Sequence, residues 1–195
     1  MKTSWKPGTM IAPVAAALVS CGNEELGTNL FTASWVGTIC TTPPMCYVSI
    51  RPERYSYRLI KETGEFVLNL TTTHLARETD WCGVRSGRNF DKWKETGLTP
   101  TDCVVVSCPQ VQESPVSIEC KVRQILPLGS HDMFIAEVVN VWVDDRYINK
   151  ESGKLDLQAA GLMTYAHGEY FAPGDFVGYF GWSVKKGNDP IERRK

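Results

Sequence analysis

A strand ends and a helix begins within the stretch Ser49-Ile50-Arg51-Pro52-Glu53-Arg54-Tyr55-Ser56. Pro52 has a fixed φ angle and no backbone N–H, so it suits the first turn of a helix. The predicted helix covers residues 53–63 and stops at Gly64, because glycine is typical of the position that follows a helix. The chain therefore passes directly from a predicted strand, residues 47–51, into this helix.

The same junction is a candidate phosphate site. Backbone N–H groups at a helix N-terminus point toward an anion, and the helix dipole favours negative charge there. Arg51 can hold a phosphate with two parallel hydrogen bonds, and Ser49 and Ser56 can add hydroxyl groups. The alternative is a surface Arg51 that pairs with Glu53, and this stretch alone leaves both interpretations open.

The rest of the chain is rich in strand patterns. Its candidate strands, which concentrate β-branched and aromatic residues, cover residues 11–20, 30–36, 47–51, 65–70, 104–107, 116–125 and 133–143. Besides 53–63, helical patterns cover only a segment from residue 72 or 73 to 81 and one turn at 91–95. These patterns predict a mainly β fold, a β-barrel with a few short helices. We expect one domain over residues 1–195, a length that a single core can fill.

Composition limits the classes of function. The formal net charge of -1 leaves no broad basic field that could hold nucleic acid or an anionic membrane. No apolar run approaches the roughly 20 residues of a membrane span. The seven cysteines form no CxxC pair and no Cys/His cluster at zinc spacing. We therefore expect reduced, mostly buried thiols in a cytoplasmic protein, and no metal site.

The N-terminus resembles a lipoprotein cleavage box at Leu18-Val19-Ser20-Cys21, after an apolar segment at residues 10–19. Pro7 and Pro13 interrupt that region, which is unusual for an export signal. Its apolar residues also suit a buried strand that ends at Cys21. We expect residues 1–20 to remain attached.

A second informative stretch is Thr28-Asn29-Leu30-Phe31-Thr32-Ala33-Ser34-Trp35-Val36-Gly37-Thr38, in which small polar residues surround a large aromatic one. A flavin ring needs a wall of this kind. Its dimethylbenzene edge requires apolar contact, and its pyrimidine edge requires hydroxyl, amide and backbone donors. The alternative is an ordinary strand whose polar residues face solvent.

A third stretch, residues 82–93, is a polar loop rich in glycine and arginine that enters a short helix. A cation near the N1–C2 carbonyl edge of a flavin would stabilise the anionic reduced ring, and Lys92 or Arg88 is suited to this role. The alternative is a set of loop charges in solvent. We predict no catalytic side chain, because His74, His131 and His167 belong to no Ser/His/Asp or HExxH pattern.

Together these stretches resemble the flavin reductase-like, FMN-binding split-barrel family, close to its flavoredoxin branch. The resemblance is carried, in the family's order, by residues 5–8, 18–22, 29–35, 43–45, 49–56, 63–70, 86–88, 91–93 and 119–122. The run at 49–56 is the most specific of these motifs. The resemblance covers the chain from about Trp5 to Trp182.

The resemblance implies an FMN-binding split barrel and a homodimer with FMN near the subunit interface. The implied site comprises Asn29, Thr32, Ser34 and Trp35 along the flavin ring, Ser49, Arg51 and Ser56 near the phosphate, and Ala33, Tyr55 and Ser86 elsewhere around FMN. Lys92 matches the family's Asp-Lys-aromatic pattern, although the aromatic residue, usually Phe, is Trp93 here.

The implied function is that of an oxidoreductase in which FMN accepts hydride from NADH or NADPH and passes electrons to an unknown acceptor. No GxGxxG motif follows a predicted strand, so a nicotinamide would have to stack in an open flavin site. One alternative is an FMN electron carrier without its own NAD(P)H reductase activity. A second is a barrel that has lost flavin and serves only as an interaction module.

Overall fold

The computed structural model describes residues 1–184 of the chain. Its strands are β1 (Val14–Ala15), β2 (Ala17–Asn23), β3 (Gly27–Ala33), β4 (Val36–Thr41), β5 (Pro44–Ile50), β6 (Glu65–Leu70), β7 (Pro100–Thr101), β8 (Gln110–Val111), β9 (Val116–Pro127), β10 (Asp132–Val143), β11 (Thr164–Ala166) and β12 (Glu169–Phe171). Its helices are α1 (Tyr55–Thr63), α2 (Ala76–Val84) and α3 (Lys92–Thr96), with single 3-10 turns at Thr73–Leu75, Asp145–Tyr147 and Trp182–Val184.

Seven strands form one antiparallel sheet in the order β3-β2-β6-β9-β10-β5-β4. Its two edge strands, β3 and β4, follow each other in the chain with only Ser34 and Trp35 between them. The ends of these edge strands therefore lie within about 11 Å of each other, three Cα–Cα steps, and the sheet must curl round on itself. The N–H of Ser49 on β5 donates to the carbonyl oxygen of Trp35 at 2.9 Å and supports this corner. The predicted β-barrel is confirmed.

The barrel interior is filled by alternate residues of these strands and by one face of α1. Val19, Val48, Phe66 and Phe134 are fully buried in this cluster. The helix α1 adds Leu59 and Ile60, also fully buried, to the same cluster. A second buried cluster lies between the sheet and α2, and contains Leu18, Leu30, Leu75 and Cys82. Because α1 and α2 both pack on β2 and β3, the helices meet the sheet where those strands run.

The long strands follow the sequence patterns closely. The predicted strand 65–70 coincides with β6, and β9 and β10 contain the predicted strands 116–125 and 133–143. The prediction of one strand over residues 11–20 is wrong. This segment is divided between β1, which begins after Pro13 and pairs with β11, and β2, which lies between β3 and β6.

The predicted strand 30–36 ends at Ala33, because Ser34 and Trp35 carry the chain from one sheet edge to the other. The helix predicted over 53–63 begins two residues late, at Tyr55. The N–H of Arg54 donates to the carbonyl oxygen of Arg51 at 3.0 Å, so a turn precedes the helix. The helix ends as predicted, because Gly64 takes the left-handed conformation and donates its N–H to Ile60 at 2.8 Å.

The strand predicted over 104–107 is absent, and its valines lie in a loop. The backbone N–H groups of Val104, Val105 and Val106 all donate to the carboxylate of Glu119. The N–H of Ser107 donates to Glu65 at 2.8 Å. Two carboxylates thus take the donors that a strand would have offered to a neighbouring strand, and they override the β propensity of valine.

The C-terminal part of the described chain adds a small sheet, β1-β11-β12. Beyond it, aromatic side chains are exposed at Phe176, Tyr179, Phe180 and Trp182. All seven cysteines are free, and Cys21, Cys46, Cys82, Cys108 and Cys120 are buried. Within residues 1–184, the structure contains no helix that is long and apolar enough to cross a membrane.

Candidate functional site

Two adjoining cavities open where α1, the loop after α2 and the corner between β3 and β4 meet. We call the larger, of about 380 Å³, the arginine pocket; it is lined by Asn29, Phe31, Thr32, Arg51, Glu53, Arg54, Tyr55, Ser56, Cys82, Gly83, Arg85, Ser86, Gly87, Arg88 and Lys92. The smaller, of about 190 Å³, is the tryptophan pocket; it is lined by Phe31, Thr32, Ala33, Ser34, Trp35, Ser49, Ile50, Arg51, Arg54 and His131.

Every residue of the predicted cofactor site lines one of these cavities. Asn29, Tyr55, Ser56, Ser86 and Lys92 lie in the arginine pocket, Ala33, Ser34, Trp35 and Ser49 in the tryptophan pocket, and Thr32 and Arg51 in both. The predicted phosphate group is divided by this arrangement. Ser49 and Ser56 line different cavities, and Arg51 is the member of this predicted group that lines both.

The N-terminus of α1 forms one wall of the arginine pocket. Its N-cap residue is Arg54, and no side chain among residues 1–184 caps the helix. The first N–H groups of an α-helix have no partner within the helix, and they attract an anion when no side chain covers them. Four arginines, Arg51, Arg54, Arg85 and Arg88, line the same cavity, against one carboxylate, Glu53. The pocket is therefore suited to a phosphate.

The ion pair that the sequence left open as an alternative is also present. Arg51 Nη1 lies 3.5 Å from Glu53 Oε1, and both side chains are more than half exposed. An exposed pair of this kind contributes about 0–1 kcal/mol, so an incoming phosphate can replace it at little cost. Arg88 donates to the backbone oxygen of Glu53 at 3.0 Å, which holds the loop after α2 against the start of α1.

A buried contact fixes the floor of the arginine pocket. Asn29 Nδ2 donates to Ser56 Oγ at 2.7 Å and ties β3 to the first turn of α1. Gly87 lies directly against this contact. A Cβ atom at Gly87 would stand 2.3 Å from Asn29 Oδ1 and 2.7 Å from the Tyr55 ring, so only glycine fits without displacing them.

Lys92 is buried in the wall of the same pocket, with 3% of its surface exposed. Its amine donates to the backbone oxygen of Cys82 at 2.6 Å. Burial lowers the pKa of Lys92 to about 8, and the neighbouring thiols of Cys82 and Cys21 oppose this shift only in part. An ammonium group has three protons to donate, so Lys92 can still bind an anion or a carbonyl oxygen in the pocket.

The hydroxyl of Thr32 is already engaged. Thr32 Oγ1 donates to the backbone oxygen of Thr79 on α2, so it can offer only its lone pairs and its methyl group to a ligand. Gly83 lies against it, since a Cβ atom there would stand 3.3 Å from Thr32 Cβ. The wall between β3 and α2 is thus closely packed.

The tryptophan pocket contains a residue that the sequence did not indicate, His131. Its ring stacks on Trp35 with centroids 4.3 Å apart and planes inclined by 43°. Burial, and then the positive charge of Arg51, lower the pKa of His131 below its ordinary value. The contact depends on the pairing of β5 with β10, in which Ile50 faces Asp132, and no local sequence signal reports that register.

The arginine pocket also holds Phe31, Arg54 and Arg85, which the sequence did not single out as site residues. All three lie inside the sequence stretches that contain the predicted site residues. The stretches therefore indicated the right segments of the chain, although these three residues were not predicted. Burial raises the pKa of Cys82, another lining residue, to about 11, which keeps its thiol neutral.

Comparison with known proteins gives three further findings. The family model described as a flavin reductase like domain matches residues 9–173. The structure of flavoredoxin from Desulfovibrio vulgaris (Miyazaki F) superposes with a TM-score of 0.88 and 32% identity, over 95% of this chain and 100% of that one. A protein of Archaeoglobus fulgidus is 30% identical over 159 residues, 82% of this chain and 87% of the relative.

A relative with a named activity is the NADPH-flavin oxidoreductase of Streptomyces viridifaciens. It is 26% identical over 133 residues, which are 66% of each chain. The structure of a putative flavin reductase with a split barrel domain from Shewanella frigidimarina superposes with a TM-score of 0.77 and 25% identity, over 86% of this chain and 85% of that one. The fold is therefore a flavin reductase split barrel.

Proposed function

The chain belongs to the flavin reductase-like family, and on that premise we propose that it is an FMN-dependent oxidoreductase that passes electrons from NADH or NADPH through the flavin to an acceptor. The family membership supports a flavin cofactor. FMN in particular, and the nicotinamide donor, are the proposal. The observation that carries it is the arginine pocket at the uncapped N-terminus of α1.

The proposal for FMN rests on its phosphate, the group that riboflavin lacks. Arg51, Arg54, Arg85 and Arg88 lie around a helix N-terminus that has free N–H groups, and the local charge is strongly positive. The chain as a whole carries a net charge of only -1. A cluster of four arginines in one cavity is therefore a local feature, and a bound phosphate accounts for it.

The ring of FMN would lie against Thr32, which lines both pockets, and along Ser34 and Trp35 of the tryptophan pocket. Trp35 remains 41% exposed, which leaves room beside it for a second planar molecule. When bound, FMN supplies hydride acceptance and one-electron release. Lys92 would place a positive charge where the reduced ring becomes anionic, and its buried position strengthens that interaction.

The proposal that NADH or NADPH is the electron donor has two supports. The Streptomyces relative is named an NADPH-flavin oxidoreductase, and Trp35 is partly exposed beside the proposed flavin position. The electron acceptor stays unassigned. The similarity to a flavoredoxin gives the electron-carrier alternative its support, and the experiment below separates the two.

We also propose a homodimer in which FMN lies near the subunit interface. The exposed aromatic side chains at Phe176, Tyr179, Phe180 and Trp182 support this, because such residues are enriched in interfaces. Light scattering is expected to give about twice the chain mass of 21.8 kDa. A monomer that binds FMN tightly would contradict the shared interface.

The function is tested by loading the protein with FMN, removing oxygen and adding NADH or NADPH. Bleaching of the flavin's visible absorbance is expected with at least one nucleotide, and a chemical reductant gives the end point. If the reductant bleaches the flavin and neither nucleotide does, the electron-carrier function replaces the reductase. A protein that takes up no flavin would refute both.

A further inference from the structure

A third cavity, of about 340 Å³, adjoins the two pockets of the proposed flavin site. We call it the tyrosine pocket; its lining includes Thr32, Ser34, Asp80, Gly83, Tyr165 and Tyr170. It shares Thr32 and Gly83 with the arginine pocket, and Thr32 and Ser34 with the tryptophan pocket. The three cavities thus meet at one wall, the end of β3.

The tyrosine pocket is built by the hairpin of β11 and β12, which docks on α2. Tyr165 and Tyr170 are directly paired across the hairpin, with ring centroids 5.5 Å apart and planes inclined by 60°. The hydroxyl of Tyr170 donates to Asp80 Oδ1 on α2 at 3.3 Å. Burial, and then the charge of Asp80, raise the pKa of Tyr170 to about 12, so the phenol stays protonated and keeps this contact at neutral pH.

The charge of this cavity is opposite to that of the arginine pocket. Within residues 1–184, Asp80 is the charged residue in its lining, and no lysine or arginine lines it. The arginine pocket, behind the same Thr32 and Gly83, has four arginines and Lys92. A phosphate would therefore bind in the arginine pocket and be repelled from the tyrosine pocket, because like charges are disfavoured in a cleft of this size.

We propose that the tyrosine pocket is a second ligand site, which binds a planar aromatic ring that carries no phosphate and is uncharged or cationic. The two tyrosine rings offer faces for stacking and for a cation. Asp80 adds a carboxylate beside them. The volume is near the lower end of small-molecule sites, which fits a single ring rather than a dinucleotide.

The link between this site and a flavin rests on the proposed function. A ring held against Thr32 and Ser34 would lie beside the wall that the flavin ring is proposed to use, so the site would serve the flavin's redox partner. The occupant is defined by its ring and charge alone. None of its lining residues is an arginine of the proposed phosphate site, so binding to the tyrosine pocket is tested on the flavin-free protein.

The test uses three probes that share one ring and differ in charge: 1-methylnicotinamide, a cation; nicotinamide, which is neutral; and nicotinate, an anion. Their affinities for the flavin-free protein are measured by ligand-observed NMR titration. The cation is expected to bind about three- to tenfold more tightly than the neutral probe, and the anion most weakly. Equal affinities, an anion preference or no binding of any probe would overturn the proposal.

Two variants in the tyrosine pocket and one control variant outside it locate the site. Asp80→Asn is expected to remove the preference for the cation, because it removes the negative charge of the pocket. The variant should fold, since Asp80 is exposed on α2 and asparagine has nearly the same size. Asp102→Asn, an exposed aspartate outside the cavity, is the control and is expected to keep the wild-type order. Tyr165→Leu is expected to weaken all three probes alike. A charge order that survives in Asp80→Asn would place the probes elsewhere and refute the assignment.

The measurements distinguish failure of the aromatic-ring site from failure of the proposed flavin function. Probe binding in the expected order, in a protein that takes up no FMN, would preserve the ring site and reject its link to a flavin. FMN uptake without any probe binding would reject the ring site alone.

Discussion

Two charged side chains are buried in the described part of the chain, Glu119 and Lys92. Glu119 lies on β9 beneath the loop at residues 104–107, and Lys92 lies in the wall of the arginine pocket. Both are almost completely shielded from solvent. They differ in how fully their hydrogen-bonding capacity is used.

Glu119 accepts five hydrogen bonds, from the N–H groups of Val104, Val105 and Val106 and from the side chains of Asn140 and Trp142. Burial alone would raise the pKa of Glu119, but these hydrogen bonds outweigh burial and lower the pKa below its ordinary value. Its charge is satisfied by the protein itself. Glu119 is therefore a structural residue that holds the loop at residues 104–107 on the sheet.

Lys92 has one acceptor, the backbone oxygen of Cys82. Burial lowers the pKa of Lys92 to about 8, because its surroundings compensate for burial only in part. Lys92 thus differs from Glu119 in the number of hydrogen-bond partners that the protein supplies to a buried charge. Glu119, with its partners complete, stabilises the fold, whereas Lys92 has donor capacity left over, and we propose that a ligand uses it.

The largest effect is expected at the structural charge. Glu119→Gln replaces one carboxylate oxygen by an NH2 group that faces backbone N–H donors, so the free energy of unfolding should fall by about 2–4 kcal/mol. Urea titration of the flavin-free protein measures it. Because the folded-state pKa of Glu119 is lowered, its stabilisation exists above an unfolded-state pKa of about 4.5 and is lost as the pH falls. The difference in the free energy of unfolding between wild type and Glu119→Gln should therefore become smaller at acid pH.

Glu62→Gln is the matched control for this experiment. Glu62 forms only an exposed pair with Arg58 on α1, so its loss should change stability by less than about 0.5 kcal/mol. If Glu119→Gln were equally harmless, the description of Glu119 as the anchor of its loop would be wrong.

The next effect is expected in the arginine pocket. Arg51→Ala removes a charge-assisted contact to the proposed phosphate, worth on the order of 1.5–3 kcal/mol, so FMN affinity should fall about tenfold or more. Riboflavin affinity should barely change, because riboflavin has no phosphate. Flavin fluorescence titration measures both. Arg58→Ala, an exposed arginine on the outer part of α1, is the control. Equal losses for FMN and riboflavin would show that Arg51 does not bind the phosphate.

The smallest effect is expected at Lys92 and has the opposite sign from that at Glu119. Lys92→Met removes an uncompensated buried charge, so the flavin-free protein should gain about 1–2 kcal/mol of stability at neutral pH. The folded-state pKa of about 8 lies below the ordinary 10.5. As the pH increases from about 8 to 10.5, the amine loses its proton in the folded state before it does so in the unfolded state, so the free energy of unfolding of the wild type should rise. The stability difference between Lys92→Met and the wild type should therefore shrink over this range.

The same variant should harm function. Without the Lys92 amine, the bound flavin should be reduced more slowly by NADH or NADPH, while oxidised FMN is still bound. Lys94→Met, two residues further along α3 and exposed, should change neither property. A Lys92→Met protein that is less stable than wild type and reduced at the normal rate would erase the distinction between Lys92 and Glu119.

Much of the barrel could be predicted from the sequence, because long strands such as β9 and β10 are rich in β-branched and apolar residues over many consecutive positions. The errors have local physical causes. Residues 104–107 are rich in valine, yet a carboxylate fifteen residues away in the chain binds their N–H groups. The hairpin of β11 and β12 was missed because each strand has only three residues.

The candidate site was predictable where its residues lie in compact stretches, as at 29–35 and 49–56. The resemblance to a family then indicated that these stretches meet, which no periodicity could show. His131 could not be found in this way, because its contact with Trp35 requires the register of β5 on β10. A single domain over residues 1–195 stays a prediction.

We propose that the arginine pocket binds the phosphate of FMN, and a comparison of two flavins measures the contribution of that phosphate. Flavin-free wild-type protein is titrated with FMN and with riboflavin under the same conditions, and heat or flavin fluorescence is recorded. FMN is expected to bind at least about tenfold more tightly than riboflavin. Equal affinities for the two flavins, or no binding of either, would contradict it.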